Sequence, residues 1–358
     1  MESSDSARRQ PEVSVIIPAR NEEASLAACL QSLVEQTGIV FEIIVVDDNS
    51  SDHTHEIAQS FAGVRIVTPP DLPAGWTGKN NALVAGAGCA RGAWLLFTDA
   101  DTVHLPGSLA RSVEEATSRG AALLSYSPQQ EVRGFWERAT MPVIFSELAR
   151  TYPPSRVSDP NSAVAAANGQ YLLVSREAYN SVGGHTAVAT SLLEDVALAR
   201  TVKSTGRKIY FRYGGDAVRT RMYRSFSQLQ EGWTKNLALL FPEPLRLAGI
   251  RLAEFTLICG GVALAILAAA QREPFITFLA GSGTLVLYTL FLNRISRAHF
   301  SWLSNVLAIF GLPLFSYLLS HSRLSHKQGS VAWKGRVYRS DECDEPPGSR
   351  RASVSSVR

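Results

Sequence analysis

Two acidic side chains follow a buried strand of the sequence at the point where that strand should end. Asp99 and Asp101 come directly after the apolar run at 94–97. Two carboxylates two residues apart on such a loop can share one hard divalent cation, because Mg²⁺ and Mn²⁺ prefer oxygen ligands. Ordinary polar loops also contain this spacing, but here both acids leave a buried strand directly. The residues therefore predict a metal site at Asp99 and Asp101.

A second acidic turn, at 47–50, follows the apolar run at 43–46. A carboxylate of this turn could accept an N–H group of a nucleotide base, while Asn49 and Ser50 shape the turn. An Asx turn that merely ends a strand has the same composition. Taken alone, this pattern fits both interpretations about equally.

A third acidic pair, Glu194 and Asp195, opens a predicted helix at 193–204. Acids are common in a first helical turn because they interact favourably with the helix dipole, and that explanation suffices for the pair alone. Beside a metal–nucleotide site, one of these carboxylates could instead take a proton from an acceptor hydroxyl.

Basic residues lie near the same predicted site. The loop at 18–22 opens a helix whose N–H groups can meet an anion, but it lacks the glycines of a phosphate P-loop. Lys79 could approach a diphosphate as a point charge or could simply be solvated. Arg221 and Arg224 flank Tyr223. They could neutralise a departing diphosphate, or they could form a belt at a membrane surface.

The elements that would position these residues alternate between strand and helix. Predicted strands cover 13–18, 42–47, 64–68, 94–99, 170–174 and 208–213, and predicted helices cover 21–36, 51–61, 79–90 and 193–204. This alternation indicates βαβ units and a parallel sheet, with Asn21 as the N-cap of the first helix. In such folds the ligand site lies at the carboxyl ends of the strands. The region 121–170 breaks the alternation.

Composition excludes several classes of protein. The chain has 358 residues, of which 46% are hydrophobic, and 35 basic against 32 acidic residues leave a net charge of only +3. That balance does not fit a general nucleic-acid binder. The four cysteines form no CxxC pair, which argues against a disulfide scaffold and a thiolate zinc site. No apolar stretch near the N-terminus predicts a cleaved secretory signal.

The C-terminal third contains three uncharged segments, at 255–270, 275–292 and 301–320. Each approaches the ~20 apolar residues that cross a bilayer, so we expect membrane insertion rather than a buried helical bundle. The predicted domains are listed in chain order: a disordered start at 1–11, an α/β domain at 12–250 with interfacial helices at 221–250, about three transmembrane helices at 251–322, and a basic then disordered tail at 323–358.

As an ordered set, these motifs resemble glycosyltransferase family 2, whose members have the GT-A fold. The matching segments are VIIPARNE at 15–22, VVDDNS at 45–50, Asp99-Ala-Asp101 and Glu194-Asp195. Further segments at 72–79, 169–173, 183–185 and 231–236 are similar to a membrane-bound branch that includes hopanoid-associated and carotenoid-type enzymes. The segment WKGR at 333–336 is similar to a motif that follows the membrane spans of ceramide glucosyltransferases.

The resemblance implies a role for each matching residue. It implies that a nucleotide diphosphate sugar is bound with Mg²⁺ or Mn²⁺ and that Asp195, beside Glu194, is the catalytic base. The implied donor-binding residues are Pro18, Ala19, Arg20, Glu22, Asp48, Lys79 and Asp99, the implied metal ligands are Asp101 and Asp99, and the implied diphosphate or acceptor residues are Gly169, Gln170, Arg221, Arg224 and Trp233.

One departure bears on the product. Processive members carry a Gln-x-x-Arg-Trp motif, whereas Gly232 precedes Trp233 here and Leu229 stands at the glutamine position. We therefore expect transfer of a single sugar to a lipid acceptor, with inversion, because one base and no second nucleophilic carboxylate are indicated. The apolar insertion at 135–148 could receive the lipid, or it could be plain core packing.

The membrane segments raise the question of which side of the membrane the catalytic domain occupies. Nucleotide sugars are cytosolic, so the catalytic domain of a multi-pass membrane enzyme should be cytosolic. Three crossings would then place the basic stretch at 321–339 outside, against the positive-inside rule, unless one segment is re-entrant.

Two alternative functions fit the sequence less well. A sugar-1-phosphate nucleotidyltransferase would carry a glycine-rich loop at 18–22, which this chain lacks. An inactive membrane scaffold would have lost one of the acids, and all are present.

Overall fold

The computed structural model describes residues 10–329, 331–333 and 336–338. The disorder predicted at 1–11 and in the tail at 341–358 therefore falls outside the described part, except for residues 10 and 11. The strands are β1 Val13–Ala19, β2 Phe41–Asp47, β3 Val64–Val67, β4 Trp94–Phe97, β5 Thr102–His104, β6 Leu123–Ser127, β7 Gln129–Gln130, β8 Leu172–Ser175, β9 Ile209–Tyr213, β10 Val218–Thr220, β11 Val331–Trp333 and β12 Arg336–Tyr338. The helices are α1 Leu26–Val34, α2 Thr54–Gln59, α3 Gly78–Cys89, α4 Ser108–Arg119, α5 Phe135–Thr151, α6 Pro154–Ser158, α7 Arg176–Ser181, α8 Glu194–Ser204, α9 Phe226–Leu240, α10 Pro244–Ala270, α11 Pro274–Ile295, α12 Trp302–Leu307 and α13 Gly311–Lys327.

A seven-stranded sheet in the order β3-β2-β1-β4-β8-β6-β9 forms the centre of the catalytic half. Its neighbouring strands pair in parallel except at β8, which runs antiparallel to both β4 and β6. From β1 the chain builds the sheet first toward β3 and then, through β4, toward the other edge. The carboxyl ends of β1 and β4 therefore meet at a topological switch point, where α/β folds bind ligands.

Helices cover both faces of this sheet because side chains alternate along each strand. Within β1, Val15 and Ile17 join a core with α1, α2 and α4, whereas Ile16 joins the opposite core with α3, α7 and α8. The predicted fold class is confirmed: a mostly parallel α/β sheet precedes a set of apolar C-terminal helices.

Two local predictions differ from the structure. The helix expected at 21–36 begins only at Leu26, and Ser25 rather than Asn21 stands at its N-cap position. Asn21 has a φ of +53°, which asparagine tolerates better than most residues, and it belongs to a turn that leads out of β1. The irregular region 121–170 contains the regular strand β6 and the long helix α5, while β5, β7 and β10 form a separate three-stranded sheet.

A second core lies between α5, α9 and the C-terminal helices, with Trp233, Phe291 and Phe315 among its buried side chains. Three helical stretches are long and apolar enough to cross a membrane: Pro244–Ala270, Pro274–Ala298 and Trp302–Lys327. The first two have only 11% and 6% of their most apolar windows buried, compared with 50% in the third. The boundary expected at 250 lies inside the continuous helix α10.

Candidate active site

All of the site residues expected from the sequence line one cavity of about 630 Å³ at the switch point of the sheet. They are Pro18, Ala19, Arg20, Glu22, Asp48, Lys79, Asp99, Asp101, Gly169, Gln170, Glu194, Asp195, Arg221, Arg224 and Trp233. The acids that follow β2 and β4 and the acids that open α8 thus face a shared space.

The turns after β1 and β2 hold each other in place at one end of the cavity. The Asn21 side chain accepts a hydrogen bond from the backbone N–H of Ser51 (2.8 Å), and the N–H of Glu22 donates to the hydroxyl of Thr54 (2.7 Å). Arg20 donates to the backbone carbonyl of Asp48 (2.7 Å). These contacts fix the backbone at Asp48 beside the end of β1.

The two neighbouring aspartates after β2 have different surroundings. Asp47 accepts the N–H of Ser50 (3.0 Å) in an Asx-type turn and also contacts the His55 ring (3.0 Å). Asp48 instead lines the cavity. Asp47 therefore shapes the turn, as the Asx interpretation expects, and the neighbouring Asp48 lines the cavity.

Lys79 connects the acids after β4 with the acids at the start of α8. Its ammonium group lies 2.7 Å from a carboxylate oxygen of Asp99 and 2.7 Å from one of Glu194. Desolvation lowers the pKa of Lys79, but the charges of Asp99, Glu194 and the adjacent acid outweigh it and hold that pKa above its usual value. For Glu194, burial alone would raise the pKa, but the positive charge of Lys79 has the larger effect. The pKa of Glu194 is therefore lowered, which favours the ionised carboxylate.

Asp195 lies beside this ion pair but has a different electrostatic environment. Its carboxylate accepts hydrogen bonds from the N–H groups of Gly169 and Val196, both at 2.7 Å. Burial and the negative charge of Glu194 raise the pKa of Asp195 to about 6 despite Lys79 and these N–H donors. The pKa values of these two adjacent carboxylates are thus moved in opposite directions. This pattern is typical of a structural ion pair, here Glu194 with Lys79, next to an acid–base group, here Asp195.

Gly169 allows the close packing around these charges. A Cβ atom at this position would lie 3.1 Å from the Lys79 ammonium nitrogen, 3.3 Å from a Glu194 oxygen and 3.5 Å from an Asp195 oxygen. Those distances are tight for carbon, so a side chain here would crowd the ion pair. The backbone of Gly169 thus approaches the acids closely and donates its N–H to Asp195.

Asp99 and Asp101, which follow β4, suit a metal site in which a hard cation is bound partly by the protein and partly by a ligand. They do not by themselves form a complete set of protein ligands. In the part of the chain that the structure describes, no group of three or more His, Cys, Asp or Glu residues is arranged to hold a metal. Mg²⁺ commonly uses one or two carboxylates, waters and substrate phosphates. Asp101 and Asp99 fit that description, although Lys79 already contacts one oxygen of Asp99.

The remaining predicted residues form the opposite wall. Gln170 is buried and donates to Thr220, whose hydroxyl donates to the backbone carbonyl of Asp101 (3.2 Å). Arg221 contacts Glu137 (3.4 Å), and Arg224 donates to the backbone of Ala24 (2.8 Å). Trp233 is 2% exposed, and its indole N–H donates to the sulfur of Met141 (3.4 Å).

Sequence reasoning assigned no role to three residues that also line the cavity: Lys235, Trp333 and Arg336. Lys235 lies in the 231–236 segment, and Trp333 and Arg336 begin and end the WKGR segment. Both segments belong to the family resemblance, but the resemblance gives these three residues no role. Nothing in their spacing shows that a segment beyond the apolar helices returns to the acids after β2.

Comparisons with known proteins agree with this geometry. Residues 14–183 match the Glycosyl transferase family 2 pattern. The 4,4'-diaponeurosporenoate glycosyltransferase of Staphylococcus aureus (strain USA300) is 26% identical over 340 residues, which cover 91% of this chain and 88% of that protein. The counterpart from strain MRSA252 is 27% identical over 342 residues with the same coverage.

A solved structure shares the overall fold. The mannosyltransferase PcManGT from Pyrobaculum calidifontis, in complex with GDP-Man and Mn²⁺, superposes with a TM-score of 0.52 at 16% identity. The alignment covers 89% of this chain and 87% of that chain, so the likeness includes C-terminal segments as well as the sheet.

Proposed function

We propose that this protein, whose residues 14–183 form a glycosyltransferase family 2 domain, transfers one sugar from a nucleoside diphosphate donor to a lipid acceptor with inversion. The observation that carries the proposal is the shared cavity, in which Asp48, Asp101 and Asp195 all face one space at the switch point of the sheet. The helices Pro244–Ala270 and Pro274–Ala298, which are long and apolar enough to cross a membrane, would anchor the catalytic half there.

The donor would lie along the ends of β1, β2 and β4. Asp48 would accept a base N–H, and Pro18 and Ala19 would pack against the nucleoside. Asp101, with Asp99, would hold Mg²⁺ or Mn²⁺, which supplies positive charge to the departing diphosphate. The complex of PcManGT with GDP-Man and Mn²⁺ supports such a donor and cation on this fold.

Asp195 would act as the general base. The acceptor oxygen forms a bond to the anomeric carbon, the bond from that carbon to the diphosphate breaks, and the acceptor proton moves to the Asp195 carboxylate. The N–H groups of Gly169 and Val196 hold that carboxylate in one orientation. A single displacement with one base inverts the configuration at the anomeric carbon.

The acceptor side of the cavity is apolar and adjoins the membrane helices. Phe145, Leu148 and Leu240 line it together with Arg297 and His299 of the turn that follows α11. The rings of Tyr223, Trp233, Phe145 and Phe300 form successive edge contacts with centroid distances of 6.0, 6.1 and 5.9 Å. Tyr223 and Trp233 are buried, so these rings pack together inside the protein, and a lipid in the cavity would meet the apolar side chains of Phe145, Leu148 and Leu240. The carotenoid-type name of the Staphylococcus aureus relative supports an acceptor of this class.

Contacts between helices support two membrane crossings rather than three. Arg294 of α11 makes two 2.8 Å hydrogen bonds to Glu254 of α10, and Gly261 of α10 lies against Thr284 of α11, so the two helices form an antiparallel hairpin. Large apolar side chains on this hairpin are exposed, with Phe278 at 73%. Such a surface fits lipid.

The third apolar stretch packs on the catalytic half as well as on α10. Ser322 of α13 accepts the backbone N–H of Ala238 in α9, and Gly311 approaches the backbone of Ala139 in α5. The chain leaves the catalytic half at α10 and returns at Arg336, which contacts Asp48. An even number of crossings follows. All of the basic segments then lie on the cytosolic side with the catalytic domain, as the positive-inside rule requires.

Cysteine labelling tests this arrangement. In a variant without the four native cysteines, Gln271→Cys at the hairpin tip should react with a membrane-impermeant maleimide in intact cells. Gln328→Cys, which follows α13, should react only after the membrane is opened, because it lies on the catalytic side. Labelling of Gln328→Cys in intact cells would contradict the two-crossing arrangement.

The pKa of Asp195 sets the expected pH dependence. A base with a pKa near 6 is ionised above that pH and protonated below it, so the transfer rate should fall about tenfold per unit as the pH drops below 6 and level off above about 7. Glu194→Gln removes one cause of the raised pKa and should move this acidic limb to lower pH. Initial rates between pH 5 and 8.5 measure both; an unmoved limb in Glu194→Gln would contradict the assignment.

A donor panel tests the proposed function directly. Membranes that contain the full chain are incubated with labelled UDP-glucose, UDP-galactose, UDP-N-acetylglucosamine and GDP-mannose, with Mn²⁺ or with EDTA, and the lipid extract is analysed. We expect label in lipid from one donor or a few, lost with EDTA and absent from membranes without the chain. No lipid labelling with any donor, or label that accumulates in a polymer, would contradict the proposal.

A further inference from the structure

The last described segment of the chain returns to the nucleotide end of the cavity. Strands β11 and β12 form an antiparallel pair, with Trp333 opposite Arg336. Both side chains line the cavity. The Arg336 guanidinium donates to both carboxylate oxygens of Asp48, with N–O distances of 2.5 and 3.0 Å. These two residues are 288 positions apart in the sequence.

This contact compensates a carboxylate that would otherwise be costly to bury. Asp48 is only 6% exposed. A buried charge requires paired hydrogen bonds, and a two-point arginine–carboxylate contact also fixes the plane of the carboxylate. Because Arg20 holds the backbone carbonyl of Asp48 (2.7 Å), the residue is restrained at both its main chain and its side chain.

The start of α3 is shaped around the same pair. A Cβ atom on Gly78 would lie 1.6 Å from a guanidinium nitrogen of Arg336 and 2.8 Å from a carboxylate oxygen of Asp48. Both distances are far below van der Waals contact, so the position requires a glycine for as long as Arg336 occupies this place. The glycine and the arginine are parts of one arrangement.

Contacts on the other strand fix the hairpin to the catalytic wall. The ammonium group of Lys235 in α9 lies 4.8 Å from the centre of the Trp333 ring, a cation–π contact. Burial lowers the pKa of Lys235, and the nearby acids, with Glu194 foremost, oppose that shift. The backbone carbonyl of Lys235 contacts the His326 ring at the end of α13 (2.8 Å). The hairpin is therefore joined to α9, and α9 is joined in turn to α13.

We infer that Arg336 is a positioning residue for the donor: it orients the Asp48 carboxylate toward the N–H group of a nucleoside diphosphate's base. The inference rests on the proposed function in taking Asp48 as the base-binding residue. It assigns a role to the WKGR segment, and it makes the nucleotide pocket depend on a segment that follows the membrane helices. Arg336→Ala should then weaken nucleotide binding by about tenfold, the loss of one charge-assisted contact to the buried acid.

Nucleotide binding by the purified full chain in detergent tests the inference without requiring transfer. The probes are UDP and GDP with Mn²⁺, and the variants are Arg336→Ala, Arg336→Lys and Arg207→Ala. We expect Kd for the preferred probe to rise about tenfold in Arg336→Ala and less in Arg336→Lys, which keeps the charge but not the two-point geometry. Arg207→Ala, which removes an ion pair outside the cavity, should leave Kd unchanged.

A double-variant comparison separates positioning from a general loss of structure. If Arg336 acts through Asp48, then Arg336→Ala should have little further effect in an Asp48→Asn background, where the carboxylate is already gone. In transfer assays, Arg336→Ala should raise KM for the donor about tenfold and change kcat by less than twofold.

Three results would overturn the inference. An unchanged Kd in Arg336→Ala would show no part in nucleotide binding, and a lower Kd would show that Arg336 competes with the nucleotide instead. An equal loss in the Asp48→Asn background would show that Arg336 does not act through Asp48. Failure of the proposed function is distinct, because the wild-type chain would then label no lipid whatever the nucleotide Kd values are.

Discussion

Replacing Asp195 with asparagine is expected to lower the rate of sugar transfer about 10²–10⁴-fold and to leave donor binding nearly unchanged. Asparagine has almost the same shape, and its side-chain oxygen can still accept the N–H of Gly169, which Asp195 accepts at 2.7 Å. It cannot take the acceptor proton. The loss should therefore appear in kcat and not in the Kd for nucleotide, measured by lipid labelling and by binding to the same purified preparation.

The matched control for this variant is Glu177→Gln, which neutralises an exposed acid outside the cavity; the Glu177 side chain is 87% exposed. It should transfer sugar at the wild-type rate. An Asp195→Asn variant that retains more than about a tenth of the wild-type rate would contradict the role of Asp195 as base. A loss of nucleotide binding equal to the loss of rate would place Asp195 in donor binding instead.

Replacing Asp101 with asparagine is expected to reduce transfer on the order of 10³-fold, because Lewis-acid stabilisation of a departing diphosphate is worth several kcal/mol. The residue follows β4 in the cavity, and its backbone carbonyl accepts the Thr220 hydroxyl, a contact that asparagine retains. The loss should be smaller at high Mn²⁺, since a weakened site fills at higher concentration. Rates across a Mn²⁺ titration measure the shift.

Asp71→Asn, a neutralised acid on an exposed loop, is the control for the metal prediction and should keep the wild-type Mn²⁺ dependence. Nucleotide binding adds a second readout. At a Mn²⁺ concentration that just saturates the wild type, Mn²⁺ should tighten UDP or GDP binding to the wild type but much less to Asp101→Asn. The same tightening by Mn²⁺ in both proteins would contradict a metal held by Asp101.

Much of the α/β half could be predicted because its strands are short apolar runs that end in polar turns. The strands at 42–47 and 94–99 correspond to Phe41–Asp47 and Trp94–Phe97, and the expected edge strand at 208–213 is indeed the edge strand Ile209–Tyr213. The strand Leu123–Ser127 is hard to predict because the polar residues Ser125 and Tyr126 interrupt its apolar pattern. In the structure both side chains are nevertheless fully buried.

The acids of the site were found from local position, since each follows a strand or opens a helix. The contacts that these acids make cannot be predicted from local position. Lys79, which the resemblance places near the donor, lines the cavity and also joins Asp99 to Glu194, 2.7 Å from each. That ion pair depends on how α3 packs against β1 and β2, which no local pattern encodes. The contact between Arg336 and Asp48 likewise depends on the path of the chain through the apolar helices, which no local pattern encodes.

The third apolar stretch shows a similar limit of sequence reasoning. Hydropathy alone does not distinguish a helix surrounded by lipid from one packed on protein. At 301–320 the segment contains Ser304 and Ser316, both buried, and the Ser316 hydroxyl donates to the backbone of Ala248 (2.9 Å). Ala248 belongs to α10, so this contact joins the third stretch to the first apolar helix. The conflict over the basic residues at 321–339 would not arise in the proposed two-crossing arrangement, in which this stretch is not a crossing.

The measurement that tests the central claim most directly is an experimental structure of the full chain with Mn²⁺ and the preferred nucleoside diphosphate sugar. The account predicts metal density about 2.0–2.2 Å from the carboxylate of Asp101, the base at Asp48, and the anomeric carbon on the same side of the cavity as Asp195. A nucleotide bound elsewhere, or a sugar directed away from Asp195, would contradict it.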